Sequence, residues 1–390
     1  MTALQAVVAL GLFSLATLAP QLGLPVARLS QLSLLLFGSG ALAAFAAGAL
    51  LRRLGGWTLA AACAAAVALG LAALAVIGPD AALFAVLCFG LAFGPETPAS
   101  AALLSVATRH LAPAPRARVF SWRQTGNQLG AIAGSLSLPA LWLLHPRLPF
   151  AVAAVLALAV ALACLGCGRR EVAVDTGVAQ SMSQPEAPAD APAATRWFSA
   201  TVQGLALAVL ALSALQMSLN VFLLSHAVAH WSLTPLAAAG WLAAAQAGGL
   251  AGRLGWGWLL PAHGRAAGLI AAIGLLAAAS GAALVLQPGL SQAQPLVFAV
   301  LMLALGASAS GWNGLLVAEI SRLAGPARAG AWSGRMLGHG YLGLTVAPLL
   351  FAWAPGGDTT AVWVGLLLLA ACACVALLAL SWMSVDRKPR

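Results

Sequence analysis

Apolar residues run along this chain in long unbroken stretches, and short polar breaks separate them. Within a stretch there is no alternation of polar and apolar positions, so the pattern predicts helices rather than strands. Their length fits a membrane, because a helix rises 1.5 Å per residue and about 20 apolar residues cross the hydrocarbon core. In that medium each backbone N–H and C=O needs a partner inside the protein, which a helix supplies. Twelve spans are predicted, at residues 2–20, 29–51, 57–77, 81–108, 117–143, 149–167, 197–223, 233–260, 266–286, 295–322, 328–353 and 360–383. The first has no basic residues ahead of it, and it is read as a retained helix rather than a signal peptide. Trp57, Trp142, Trp197, Trp231, Trp353, Trp363 and Trp382 fall near predicted ends, where interfacial aromatic belts lie.

One break differs from the rest. Residues 168–196 are rich in Ala, Pro, Ser and Gln and carry four of the nine acidic residues, so they read as a flexible linker. The expected organisation is an N-terminal bundle over 1–167, a cytoplasmic linker over 168–196, and a C-terminal bundle with a short cytoplasmic tail over 197–390. The halves also repeat. Residues 94–126 laid on 306–338, an offset of 212 without gaps, match at 10 of 33 positions, including Gly94/Gly306, Arg116/Arg328, Ser121/Ser333, Arg123/Arg335 and Gly126/Gly338. The predicted class is therefore an all-α membrane protein of twelve transmembrane helices in two six-helix bundles related by pseudo-two-fold symmetry. Parallel repeats of this kind imply bundles that rock about a midplane site.

Composition changes the picture in three ways. With 62% hydrophobic and 7% charged residues, the chain cannot clothe a soluble surface, which needs roughly 25% charged residues. The net charge of +10 comes from arginines scattered singly between apolar runs, so nucleic acid is excluded as a partner. Instead they orient the chain. With the N-terminus in the cytoplasm, fourteen Lys and Arg face inward, only Arg28 and Arg147 face outward, and both termini are cytoplasmic. The six cysteines lie in or beside apolar segments and make no disulfide framework. No nucleotide-binding loop is present, so energy is expected from a gradient, without a cofactor.

At this point the residues resemble the major facilitator superfamily. Its members carry a G-x-x-x-D-R-x-G-R type of loop after helix 2 and a weaker copy after helix 8. Here the first reads Gly48-Ala-Leu-Leu-Arg52-Arg53-Leu-Gly55-Gly56, and the second Gly257-Trp-Leu-Leu-Pro261-Ala-His-Gly264-Arg265. Arg52 and Pro261 stand where the family has its acidic residue. Gly252-Arg-Leu-Gly-Trp-Gly-Trp258 resembles helix 8 of organic-anion porters, monocarboxylate and oxalate porters among them. Gly311-Trp-Asn-Gly-Leu-Leu-Val-Ala-Glu319 resembles helix 10 of bacterial members. The resemblance implies a secondary transporter, a substrate-binding Arg on helix 8, a second cation on helix 11, and a gate or structural role for Arg52, Arg53, Gly55, Gly264 and Arg265. Helix 5 carries Gly126-x-x-x-Gly130-x-x-x-Gly134 with Ala131 where exchangers and exporters often place Pro; small residues at this spacing also let helices pack closely.

Ionisable groups inside a membrane are costly and are functional candidates. Arg253, expected roughly 10 Å inside helix 8, would give a solute carboxylate two parallel hydrogen bonds; the rival reading is a snorkelling or paired side chain. Arg335 is a second anion-binding candidate. Arg123, its repeat mate, reads as a gate brace. Glu96, in Gly94-Pro95-Glu96-Thr97-Pro98, is a proton-coupling candidate, with a salt bridge to a buried arginine as its rival. At about 18 Å depth against about 10 Å for Arg123, it is expected to be unpaired in at least one conformation, although an arginine side chain could span much of the gap. His339 is a further proton candidate. Glu319 reads as structural, beside Arg322. Gln216 and Asn220, with Trp312 and Asn313, would shape a polar pocket, or bond between helices. His226 and His230 have metal spacing but no third ligand, so no metal is assigned.

The sequence thus leads to a monomeric, multi-pass transporter of the bacterial inner membrane, embedded in lipid. It would move a small organic anion, expectedly a carboxylate, by alternating access with protons as candidate coupling ion. The alternatives are efflux of lipophilic or drug-like compounds and, more distantly, a membrane-embedded enzyme or a sensor.

Overall fold

The computed structural model describes residues 1–108, 110–111, 113–172, 199–259, 266–324, 329–354 and 358–386, and every regular element among them is helical. The first six long helices are α1 (Thr2–Thr17), α2 (Val26–Leu54), α3 (Gly56–Ile77), α4 (Ala82–Ala107), α5 (Pro113–Leu144) and α6 (Leu148–Val172). They are followed by α7a (Ala200–Val221) and α7b (Leu223–His230), α8 (Pro235–Gly255), α9 (Ala266–Leu286), α10a (Pro295–Gly311) and α10b (Asn313–Ala324), α11 (Ala329–Ala352) and α12 (Thr360–Asp386).

Among the described residues, eight segments are long and apolar enough to cross a membrane. The helices α5, α8 and α11 are not among them, and these carry Arg123, Arg253 and Arg335. Of these arginines, Arg123 is buried and Arg253 half-buried. Outside, large apolar side chains stand bare: Leu42 and Phe45 on α2, Val155 on α6, and Leu296 and Val300 on α10a. Such continuous apolar faces suit lipid, not water. Exposed Trp258, Trp353 and Trp382 sit at helix ends.

Several boundaries depart from the pattern read from sequence, each for a local reason. Gly55, at φ +78°, is the single residue between α2 and α3, and its N–H still bonds the Leu51 carbonyl. A residue with a Cβ is strained there. Arg52 and Arg53 stand exposed in the last turn of α2, where positive charge complements the helix C-terminus. Pro95 and Pro98 do not interrupt α4, which runs through both. The α10 segment breaks once, at Trp312, and α5 begins at Pro113, four residues ahead of the expected start. On α6, helix persists to Val172, into the segment read as linker, while residues 173–198 of that linker lie outside the described residues. Gly264 and Arg265 also lie outside them.

The helices group into two compact units, Met1–Gln184 with Thr234–Ala243, and Pro185–Leu233 with Ala244–Arg390. In the first, α1 packs on α5, α2 on α4, and α3 on α4 and α6. In the second, α7a packs on α11, and α9 on α10a and α12, which repeats three of those pairings six helices later. The fourth recurs through glycine. A Cβ on Gly94 of α4 would overlap the Gly40 carbonyl of α2, and one on Gly306 of α10a would overlap the Ala245 carbonyl of α8. The repeat-related glycines thus do the same work in each unit. The Gly126 and Gly130 stripe of α5 likewise lies against the Thr2 and Ala6 carbonyls of α1.

Because the Ala245 backbone cannot move aside as a side chain does, Gly306→Val is expected to destabilise by at least the 1–3 kcal/mol typical of overpacking, about that range. Gly268→Ala, on α9 with open space around it, is expected to be neutral or slightly stabilising. Comparing the thermal midpoints of the two purified variants checks this; equal midpoints would contradict the close approach.

Candidate functional site

In the first unit the chemistry gathers on α4 and α5. Arg123 Nη2 donates to both oxygens of Glu96, at 2.7 and 2.8 Å, and to Thr97 Oγ1 at 3.1 Å. Two hydroxyls complete the set: Ser100 Oγ donates to Glu96 Oε1 at 2.9 Å and Thr97 Oγ1 to Oε2 at 3.0 Å. Both charged side chains are buried, and Arg123 Nε has no hydrogen-bond partner. The axial gap between Glu96 and Arg123 is therefore smaller than expected, and in this conformation the two form the salt bridge of the rival reading. The estimate assumed that α5 starts at residue 117; from Pro113, Arg123 lies ten residues in, or about 15 Å, close to the depth of Glu96. Near this pair, Gln5 Nε2 donates to Gln124 Oε1 at 3.4 Å between α1 and α5.

In the second unit the polar residues converge where α10 breaks. The Ser310 carbonyl, at the end of α10a, accepts Arg253 Nε at 3.1 Å and Asn313 Nδ2 at 3.2 Å. A helix end leaves carbonyls without intrahelical partners, and side chains from α8 and α10b meet this one. Asn313 Nδ2 also faces Gln216 Oε1 of α7a at 3.5 Å. One turn along α7a, Asn220 Oδ1 accepts Gln246 Nε2 at 2.6 Å, with both residues buried. Arg253 is half-buried and sits in the last turn of α8, directly ahead of the 3-10 turn Trp256–Leu259. Gly252 lets α8 approach the Ala307 carbonyl, which accepts Trp256 Nε1 at 2.8 Å.

Other candidates are placed elsewhere. Trp312 is buried in an apolar cluster with Leu205, Leu316 and Met336, and its Nε1 donates to the Ala309 carbonyl. Glu319 accepts the Ala266 N–H at the start of α9, at 3.0 Å, and Arg322 grips both of its oxygens. A carboxylate at a helix N-terminus offsets the orphan donors and the helix dipole there. His226 Nδ1 and Thr359 Oγ1 are 2.6 Å apart, His230 faces Asp358 at 3.7 Å, and the two rings stack at 4.5 Å. The Thr360 backbone N–H, with a smaller contribution from His230, holds the exposed Asp358 carboxyl below its usual range. Among the described residues no three His, Cys, Asp or Glu side chains are grouped to hold a metal. His339 is half-buried on α11, one turn past Arg335, whose side chain falls outside those described.

Sequence reading missed Gln246, Ser100 and the Ser310 carbonyl. Gln246 is seven residues from Arg253 and Ser100 four from Glu96, so helical spacing would have put each on its partner's face. No sequence signal marks the carbonyl.

Comparison with known proteins gives the same fold. A nucleoside transporter structure, NupG in a mutant form, superposes with a TM-score of 0.71 at 14% identity, covering 97% of this chain and 98% of that one. A peptide transporter, POT in complex with sulfate, superposes at 0.72 with 16% identity, covering 99% and 93%. No curated protein sequence matches the chain. The sequence profile of the major facilitator superfamily matches residues 99–348, more than half of the chain and inclusive of Arg123, Arg253, Ser310 and Arg335. The chain belongs to the major facilitator superfamily and is a transporter, not an enzyme.

Proposed function

We propose that this protein is a secondary active transporter that moves a small organic anion, a carboxylate, across the bacterial inner membrane by alternating access. Twelve transmembrane helices would form two six-helix bundles, with residues 168–196 as a cytoplasmic linker, both termini cytoplasmic, and the protein acting as a monomer in lipid. The observation that carries the reading is the guanidinium of Arg253, held through Nε by the Ser310 carbonyl beside Asn313. That bond fixes the orientation of the guanidinium head. A fixed planar fork is what bidentate carboxylate recognition requires.

The repeat supports the same assignment. Glu96 compensates Arg123 in the first unit, but the position equivalent to Glu96 in the second is Ser308, whose hydroxyl bonds the Ala304 carbonyl. Arg335, the counterpart of Arg123, is on this reading a second binding cation. Glu96 is the proton carrier: protonation would remove the charge that holds Arg123, and His339 is the alternative carrier.

Proteoliposomes containing the purified protein test the proposal. Saturable uptake of a radiolabelled short-chain carboxylate, enhanced by an inward proton gradient and lost with an uncoupler, is expected. Transport of lipophilic cations with no carboxylate uptake would overturn it in favour of drug efflux.

A further inference from the structure

The second unit holds two amide pairs side by side, and they differ. Asn220 and Gln246 are both buried and meet at 2.6 Å, a short closed bond. Gln216 and Asn313, one helical turn away on α7a, meet at 3.5 Å, the outer limit of a hydrogen bond, and both are only half-buried. The open pair is also the one beside the cation, since Asn313 and Arg253 donate to the same carbonyl oxygen.

We propose that Gln216 and Asn313 form a second pole of the solute site, one that takes an amide-type group on a small carboxylate whose charged end is held by Arg253. This rests on the anion reading above and refines it. The Gln216 carbonyl oxygen is met by this long bond, and Asn313, whose amide nitrogen also serves the Ser310 carbonyl, has a second N–H to offer toward it. Turning Asn313 over would set its oxygen against the Ser310 carbonyl, so its donors keep this orientation. A solute amide inserted between them replaces one long bond with two good ones. A plain alkyl chain leaves the Gln216 oxygen and the second Asn313 N–H without a partner, which is the stronger basis for discrimination, because an unsatisfied polar group costs more than a made bond gains. The two head groups are no farther apart than their two bonds to Ser310 laid end to end, a distance that a four-carbon acid spans. Gln246 is then a positioning residue. By fixing Asn220 it anchors the face of α7a that presents Gln216.

The test compares succinamate with 4-oxopentanoate, which replaces the amide NH₂ by a methyl group of similar size. Binding is measured by calorimetry on the purified full-length protein. Succinamate is expected to bind the wild type at least tenfold more tightly, Gln216→Leu to bring the two affinities together, and Arg253→Ala to weaken both. Equal binding of the two acids to the wild type would overturn the amide pole and leave the anion reading intact. Binding of neither would overturn both. The wild-type comparison decides the matter even where Gln216→Leu does not fold.

Discussion

Glu96→Gln is expected to destabilise the protein more than Arg123→Gln does, although both remove the same ion pair. Each partner is buried, and breaking a buried pair costs about 3–5 kcal/mol when the remaining charge has no escape. Glu96 has an escape. Without Arg123 it takes up a proton and keeps the Thr97 and Ser100 hydroxyls. Arg123 has none, because a guanidinium does not give up its proton in a protein, and its Nε is already buried without a partner. Glu96→Gln should therefore lie at the upper end of that range and Arg123→Gln well below it. The double variant should recover much of the loss. Thermal midpoints of the three variants in detergent measure this, and equal, additive losses would show that the pair is not coupled. For function, Glu96→Gln stands in for the protonated carboxyl. It is expected to retain solute exchange and lose proton-driven accumulation; full accumulation would exclude Glu96 as the coupling group and turn attention to His339.

Replacing Arg253 separates two roles that its position allows. It lies in the last turn of α8, where any cation offsets the helix dipole by about 0.3–1 kcal/mol. If that were its whole contribution, Arg253→Lys would behave as the native protein. Carboxylate recognition makes a different demand, since an ammonium carries the charge but not the fork. Arg253→Lys is thus expected to stay folded and to weaken carboxylate binding by roughly 1–3 kcal/mol, with Arg253→Ala weaker still. Unchanged affinity in a folded Arg253→Ala protein would remove the residue from the site.

The legibility of this chain depended on how far each property was set by neighbours in sequence. Helices set by lipid thickness were readable from apolar runs alone, as with α3 and α9. Ends that depend on tertiary packing were not, and the four-residue error at the start of α5 was enough to separate Glu96 from Arg123 on paper. The second site was readable in part: Gln216, Asn220, Asn313 and Arg253 stood out as polar residues in apolar helices. What joins Arg253 to Asn313 is a main-chain carbonyl beside a one-residue break, and residue type does not encode that. Residue type likewise does not tell that the Trp312 indole bonds the Ala309 carbonyl three residues back and packs among apolar side chains.

Gly94 and Gly306 bear on how such a chain can change over generations. If the halves descend from one duplicated ancestor, each has been free to drift, and the positions held in common divide by cause. The two glycines lie where a neighbouring backbone leaves no volume for a Cβ, so most exchanges there cost the fold itself. Two residues farther along, Glu96 and Ser308 fill matching positions with unlike chemistry and both pack well. Exclusion of a Cβ thus holds the scaffold alike in both halves, while the buried polar positions beside it differ, a charge pair in one half and a serine in the other.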